Sequence, residues 1–328
     1  MNIPWLKSIE DGWKKQVEHG RVPHAVLLFG PAGVGKRTLA AWFASERLQL
    51  SGAAGGPRYP LAIPEHADLH WLSPPEDKQS IGIEQIRALV ADLSLTSYEG
   101  GAKVAIIEPA NTMTANATNG LLKTLEEPPG DALIVLVADR MGHLPATILS
   151  RCQRINVTVP EEALSLPWLD QMHPSSSWRE ALQLAGDAPL AAISAIEQLD
   201  QASSMLEEFA ALPDGRLSPI DIAARWAKYD TQFWLEWLSR IVQQVIKTAS
   251  CGASGALGSG LPESVLRRID RRNLFCYLDI INGLRGQAAG SFNVQLTLES
   301  LLIHWAGGLK DCHRSFHPGE ELPVAKSR

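Results

Sequence analysis

The chain has 328 residues, of which 45% are hydrophobic and 20% are charged. This length exceeds that of a typical domain, so we expect a globular protein of two or three domains. The net charge of −6 excludes a protein that is drawn to nucleic acid or to an anionic membrane by its overall field.

The ends and the hydropathy of the chain give no membrane signal. No apolar run approaches the roughly 18–20 residues that a membrane span needs. The N-terminal stretch MNIPWLKSIEDGW carries early acidic residues and no signal-peptide core. We therefore expect a cytoplasmic protein.

The first half of the chain alternates helical and strand patterns. Residues 51–64 are predicted to be a loop because they are rich in Gly and Pro. Strands alternating with helices predict a parallel α/β sheet. The predicted helices lie over 1–20, from Thr38 onward, over 83–93, 115–125 and 147–152, and the predicted strands over 25–29, 104–107 and 133–138.

The strand pattern ends at about residue 157. Residues 160–200 indicate a small helical unit with a turn at 186–189, and 250–260 is a predicted flexible connection. The end beyond about 312 is expected to fray. Longer helices are predicted over 203–212, 218–227, 231–249, 263–287 and 293–307. The predicted domains are 1–157, 158–202 and 203–328.

Residues 30–38, GPAGVGKRT, follow a buried strand and form a phosphate-binding loop with one altered position. Such a loop points backbone N–H groups and a helix N-terminus at phosphates, and its lysine reaches the outer ones. Arg37 replaces the hydroxyl that ligates Mg²⁺, and Thr38 is rotated by roughly 100° along the helix. A turn without a ligand remains the alternative. The candidate nucleotide-binding residues are Gly30, Gly33, Gly35, Lys36 and Thr38.

The strand over 104–107 ends at Glu108 and Pro109. A P-loop ATPase needs an acid here to hold Mg²⁺ and often a second acid to activate water. Glu108 could reach a metal ion, but Pro109 cannot act as a base. Glu108 is therefore a degenerate acidic site, or the strand simply ends here.

For three further sets of residues we favour an interpretation without catalysis, metal binding or DNA binding. The cysteines are isolated and predict reduced thiols rather than a metal site. A cluster of arginines is more typical of a solvated or subunit-facing surface than of a DNA contact. Three tryptophans predict core packing, although aromatic residues also anchor interfaces. These sets are Cys152, Cys251, Cys276 and Cys312; Arg267, Arg268, Arg271 and Arg272; and Trp226, Trp234 and Trp237.

Four segments resemble one protein family. They are LLKTLEEPP at 121–129, PATILSRC at 145–152, HADL at 66–69 and the stretch that begins NVQL at 293. They resemble the AAA+ clamp-loader subunits of bacterial DNA polymerase III, and the chain is more similar to the delta-prime type than to the gamma and tau motors. The resemblance implies an α/β AAA+ P-loop domain with a parallel sheet, a small helical lid domain and an all-α collar domain.

The pattern of losses implies a subunit without ATPase activity of its own. The motors have a hydroxyl, a second acid, a phosphate sensor and a lid arginine where this chain has Arg37, Pro109, Asp139 and the turn over 186–190. Relatives often carry a four-cysteine zinc module, but residues 48–65 contain no cysteine. We therefore expect no zinc and no required cofactor, and weak binding of ATP or ADP stays open.

Arg151 in the Ser150–Arg151–Cys152 motif is the expected functional residue. In the family this arginine enters the ATP site of a neighbouring subunit, where its fork matches phosphate oxygens. A structural arginine that caps a helix C-terminus is the alternative. Ser150 would orient the loop, and Cys152 would be a buried thiol.

The resemblance also implies the partners. These are the gamma or tau and delta subunits and, through the complex, the sliding clamp and primed DNA. Two rival functions stay open: an active ATPase motor, and a scaffold unrelated to DNA that retains a vestigial nucleotide fold.

Overall fold

The computed structural model describes the whole chain except residues 51–54, 76–77, 99, 140–141, 143, 176, 252–260, 286–291 and 311–328. Most of the predicted connection over 250–260 and the end beyond 312 lie outside the described residues. The chain divides into two compact units, Met1–Ile196 and Glu197–Arg328. A helix, Leu199–Ala211, crosses the predicted boundary between residues 202 and 203. The separation of a lid from the sheet domain at residue 157 stays a prediction.

The first unit contains a five-stranded sheet in which every pairing is parallel. The strand order is β2-β3-β4-β1-β5, so the first strand in the sequence lies between the fourth and the fifth. The strands are β1 (Ala25–Phe29), β2 (Leu69–Leu72), β3 (Lys103–Ile107), β4 (Ala132–Ala138) and β5 (Gln153–Asn156).

The three central strands are the ones that the sequence predicted. β3 and β4 are buried along their whole length, and β1 is buried except at its last residue. A strand that is covered on both faces has a continuous run of apolar residues. This run made the three strands recognisable in the sequence. Their side chains form a core with the flanking helices, which include Ile86, Leu121 and Ile148.

The two edge strands were missed because they carry little hydrophobic signal. β2 is half-buried throughout, and β5 is mostly exposed. Each has four residues, and each is held by backbone pairing to one neighbour, β2 to β3 and β5 to β1. Backbone pairing leaves no mark in the sequence when the side chains face solvent.

Helices surround the sheet and continue beyond it in the first unit. The predicted helices around the sheet are present to within a few residues. These helices are α1 (Lys7–Glu18), α2 (Lys36–Arg47), α3 (Ile83–Ser94), α4 (Ala115–Glu126) and α5 (Ala146–Leu149), followed by α6 (Glu162–Met172), α7 (Trp178–Leu184) and α8 (Pro189–Ala195).

The described residues of the second unit contain helices and turns. The predicted parallel α/β sheet, with the glycine-rich loop after its first strand and helical parts after the sheet, is confirmed. No helix in the described residues combines the length and apolarity needed to cross a membrane. The helices are α9 (Leu199–Ala211), α10 (Pro219–Trp226), α11 (Thr231–Cys251), α12 (Glu263–Leu266), α13 (Leu274–Arg285) and α14 (Val294–Ala306).

The single helix predicted over 263–287 is wrong, because the chain breaks between α12 and α13. The Asp270 backbone is extended, and its side chain accepts a hydrogen bond from the Arg272 N–H. The Asp270 N–H donates to the carbonyl of Gly308, and the Asn273 side chain donates to the carbonyl of Leu309. Tertiary contacts therefore replace the helical hydrogen bonds at this point.

The core of the second unit is built on Phe209. Its ring stacks on Trp305 at 4.1 Å between centroids and meets Trp237 edge-on at 5.7 Å. Trp226 and Trp234 are also fully buried. The tryptophans singled out in the sequence therefore pack in the core, as expected.

We expect Phe209→Ala to lower the free energy of unfolding of the second unit by about 3–5 kcal/mol, because it leaves a cavity among tryptophans. Phe275→Ala is the matched control, since that ring is 60% exposed, and it should change stability by less than about 0.5 kcal/mol. Denaturant unfolding followed by tryptophan fluorescence measures both. Equal effects would contradict this description of the core.

Candidate functional site

The candidate nucleotide site lies at the carboxyl edge of the sheet, beyond β1, β3 and β4. β4 lies between the other two strands, with Phe29 paired to Ala138 and Ile107 paired to Leu136. The segments that leave these strands therefore converge, and they carry the phosphate loop, Glu108 and Asp139. Ligands of open α/β sheets bind at this edge.

The loop after β1 needs its glycines. Gly30, Gly33 and Gly35 all have positive φ, at 144°, 79° and 100°. A Cβ on Gly30 would lie 2.0 Å from the carbonyl oxygen of Val157. Gly35 is the N-cap of α2, which begins at Lys36. The sequence folds here into the cradle expected of a phosphate loop, with the helix N-terminus behind it.

Lys36 is held by groups of its own chain. Its side chain is 5% exposed, and its Nζ donates to the carbonyls of Gly30 at 2.7 Å and Pro31 at 2.5 Å. Nζ also lies 2.8 Å from Oδ1 of Asp139. A phosphate at this loop would have to compete with the Asp139 carboxylate for the ammonium group.

Arg37 turns toward the acid at the end of β3. Its Nε lies 2.8 Å from Oε2 of Glu108, and its guanidinium carbon lies 6.0 Å from the centre of the Trp71 ring. The Trp71 indole N–H donates to the same Glu108 oxygen at 3.2 Å. The two residues that replace the parts of a magnesium site are therefore paired with each other.

Burial raises the pKa of the Glu108 carboxyl above its ordinary value. The Arg37 guanidinium and the Trp71 N–H lower it, and the nearby Asp139 raises it further. Sequence reasoning missed Trp71 because it lies in the edge strand β2. Its place beside β3, with Trp71 paired to Ile106, brings the indole to the site.

The outer side of the loop is covered by α8 and by the N-terminal residues. A Cβ on Gly33 would lie 2.5 Å from the Cβ of Ala191, and the Leu190 N–H donates to the Gly33 carbonyl at 2.9 Å. The Trp5 indole donates to the carbonyl of Val34 at 2.8 Å. The remaining candidate, Thr38, is buried inside α2. No signal in the sequence predicts these long-range contacts.

Arg151 lies just after α5, away from the phosphate loop in the sequence, and is half-buried. Its Nε donates to Oε1 of Glu126 at 2.6 Å, and its Nη2 contacts the same oxygen. Its Nη1 donates to the carbonyl of Thr147 at 2.9 Å and to Oγ of Ser150 at 3.2 Å. The guanidinium thus binds the last turn of α5 and the last residue of α4. Sequence reasoning missed Glu126 as its partner.

The neighbours of Arg151 in the motif have structural contacts. Ser150 Oγ donates to the carbonyl of Thr147 at 3.1 Å. Cys152 is buried in the core of the first unit, and burial raises the pKa of its thiol to about 12. The thiol is therefore neutral near pH 7 and is a poor nucleophile.

Two arginines of the cluster in the second unit pair with acidic residues of that unit. Arg267 pairs with Glu263 at 2.8 Å, and Arg268 pairs with Asp214 at 3.1 Å. Within the described ranges of the chain, no group of three or more His, Cys, Asp and Glu residues is arranged to hold a metal ion. The phosphate loop and Arg151 therefore remain the two candidate sites.

Comparison with known proteins places the chain in a family. A family model described as "DNA polymerase III, delta subunit" matches residues 5–161. A protein of Pseudomonas aeruginosa named DNA polymerase III subunit delta' is 30% identical over 320 residues, which cover 92% of this chain and 97% of that protein. The protein of the same name from Haemophilus influenzae is 28% identical over 256 residues, or 74% of this chain and 77% of that one.

Among solved structures, a gamma subunit-related protein of DNA polymerase III from Thermotoga maritima is similar, with a TM-score of 0.45 and 20% identity, covering 92% of this chain and 98% of that one. The sequence match to the Pseudomonas aeruginosa protein extends over nearly the whole of both chains. The chain therefore belongs to the DNA polymerase III subunit delta' family.

Proposed function

We propose that the chain is a non-hydrolysing subunit of a replicative clamp loader. In the assembled complex it supplies Arg151 to the ATP site of a neighbouring motor subunit of the gamma or tau type. With that motor and a delta subunit, it helps to place a sliding clamp on primed DNA in the cytoplasm. Family membership supports the proposed assembly into a clamp-loader complex. The two candidate sites support a chain that does not hydrolyse ATP itself but supplies an arginine to a neighbouring subunit.

The ion pair between Arg37 and Glu108 is the observation that carries the proposal. A hydrolytic site of this class needs a hydroxyl and an acid that hold Mg²⁺ together. Here a cationic side chain, Arg37, stands at the hydroxyl position and pairs with the acid Glu108 at 2.8 Å. Because Mg²⁺ and the guanidinium would compete for one carboxylate, this site is poorly suited to the metal-dependent reaction.

The second support is the place of Arg151 on the outside of its domain. Its side chain is 32% exposed, and its partner Glu126 is 48% exposed. A guanidinium is always charged and fits phosphate oxygens in a bidentate manner. An arginine at a domain surface can therefore serve a phosphate site in another subunit.

Two rival functions make different demands. An active motor would need a metal site that Arg37 leaves free, and turnover by the isolated chain would reveal it. A scaffold unrelated to DNA would fail to assemble with the motor and delta subunits. Mixing the purified chain with these subunits and measuring complex formation separates the scaffold from the proposed function.

We expect the isolated chain to hydrolyse ATP no faster than its Lys36→Ala variant, because Arg37 and Pro109 replace the groups that bind metal and activate water. A steady-state phosphate-release assay, with a motor subunit as positive control, measures this. Turnover comparable to the motor's and abolished by Lys36→Ala would identify the chain as a motor.

We expect weak nucleotide binding at the phosphate loop, with opposite effects of its two charged residues. Lys36→Ala should weaken binding of labelled ADP roughly tenfold, because a charge-assisted contact to phosphate is lost. Asp139→Asn should strengthen it roughly two- to fivefold, because a competing partner of Lys36 loses its charge. If neither the wild type nor Asp139→Asn binds millimolar nucleotide, the loop is structural.

We expect Arg151→Ala to lower ATP hydrolysis at the one motor site that faces this chain, by ~10³ or more if the arginine stabilises the transition state. The complex should still assemble, because Arg151 follows α5 at the surface of its unit, with its side chain 32% exposed. Arg154→Ala, an exposed arginine on β5, is the matched control and should leave the rate unchanged.

The measurement is the ATPase rate of the reconstituted complex with clamp and primed DNA. An unchanged rate for Arg151→Ala in an intact complex would return Arg151 to a structural role. A complex that fails to assemble would show that the residue serves the interface instead.

A further inference from the structure

Glu126 is the last residue of α4 and the only acidic side chain that the described contacts place on Arg151. It lies within the LLKTLEEPP run, for which sequence reasoning assigned no individual role. Its Oε1 accepts from both Nε and Nη2 of Arg151. The other terminal nitrogen, Nη1, is bound to Thr147 and Ser150.

In this arrangement the Arg151 guanidinium is not available to a phosphate of another subunit. The contacts occupy all but one of the guanidinium N–H groups. A bidentate contact to phosphate needs two N–H groups that point the same way, and the pair formed by Nε and Nη2 already faces Glu126. The arginine can therefore meet phosphate fully only after it leaves this carboxylate.

We propose that Glu126 is a positioning residue that holds Arg151 against its own domain until a neighbouring ATP site takes over the guanidinium. This inference rests on the proposed function of Arg151. The two side chains are 48% and 32% exposed. A partly exposed ion pair is weak, so the guanidinium can exchange its carboxylate partner for a more highly charged one, such as a nucleoside triphosphate.

The neighbouring residue offers a matched control. Glu127 is also exposed and carries the same charge, but it lies beyond the end of α4. Glu127→Gln removes one negative charge from the same surface without removing the contact to Arg151. Any effect that Glu126→Gln has and Glu127→Gln lacks therefore comes from the contact rather than from the change in net charge.

The first experiment uses the full chain alone and needs no activity. Phenylglyoxal, which modifies accessible arginine side chains, is applied, and labelling of Arg151 and Arg154 is followed by peptide mass spectrometry. We expect Glu126→Gln to raise the labelling rate of Arg151 about two- to fivefold relative to Arg154. Glu127→Gln and Glu126→Asp, which keeps a carboxylate, should stay close to the wild type.

Equal labelling of Arg151 in the wild type and in Glu126→Gln would overturn the proposal. Thermal unfolding of both variants identifies a general loss of structure, which would raise the labelling of both arginines together. A selective rise at Arg151 with unchanged unfolding shows that Glu126 restrains this guanidinium without supporting the fold, and the second experiment tests whether that restraint affects catalysis.

The second experiment measures ATP hydrolysis by the reconstituted complex without clamp or DNA. We expect Glu126→Gln to raise kcat about two- to fivefold with KM for ATP unchanged. The reason is that Arg151 would be released from its own domain, and able to contact the bound nucleotide, in a larger fraction of the complexes. The gain should vanish in the Glu126→Gln/Arg151→Ala double variant, whose rate should equal that of Arg151→Ala.

The outcomes separate this inference from the proposed function. If Arg151→Ala leaves the rate unchanged, the proposed role of Arg151 fails, and Glu126 has no positioning role either. If Arg151→Ala lowers the rate but Glu126→Gln lowers it or leaves it unchanged, Arg151 acts in the complex and the holding role of Glu126 is rejected. A gain that persists without Arg151 also rejects it.

Discussion

The ion pairs Lys36–Asp139 and Arg37–Glu108 join the first turn of α2 to the ends of β4 and β3. Both cations therefore have partners within the chain at the edge where open α/β sheets bind ligands. The constraint extends outward, because the glycines of the loop are packed against Val157 and Ala191. The loop thus connects α2, the strand ends and α8 within the first unit, whether or not a phosphate also binds there.

A loop that is stabilised from within can lose catalytic parts without loss of the fold. In a hydrolytic enzyme, Mg²⁺ and phosphate supply the charges that face the helix N-terminus and the acidic strand end. Here Asp139 and Arg37 supply charges of the same signs from the protein itself. This substitution gives a physical reason why the P-loop architecture persists while the residues for metal binding are altered.

The contacts of Arg151 are weaker, because they lie at the surface. Its contacts with Glu126, Thr147 and Ser150 satisfy a charge at the surface of the first unit, where solvent screens the attraction. Surface pairs of this kind contribute about 0–1 kcal/mol, so breaking these contacts would cost the first unit little stability. The core of the second unit, built on Phe209 and Trp305, is fully buried by contrast.

The sequence by itself determined the three central strands, the phosphate loop and the helices around the sheet, because continuous apolar runs, glycine spacing and helical periodicity are local signals. It also singled out Arg37, Glu108 and Asp139 as altered positions and Arg151 as the functional candidate. Only the tertiary structure decided the edge strands, the break at Asp270 and the partners of each charged residue. Arg37 meets Glu108, and Arg151 meets Glu126, because strand order and helix packing bring together residues that are far apart in the chain. Such pairings depend on the arrangement of whole elements, which no local pattern of residues encodes.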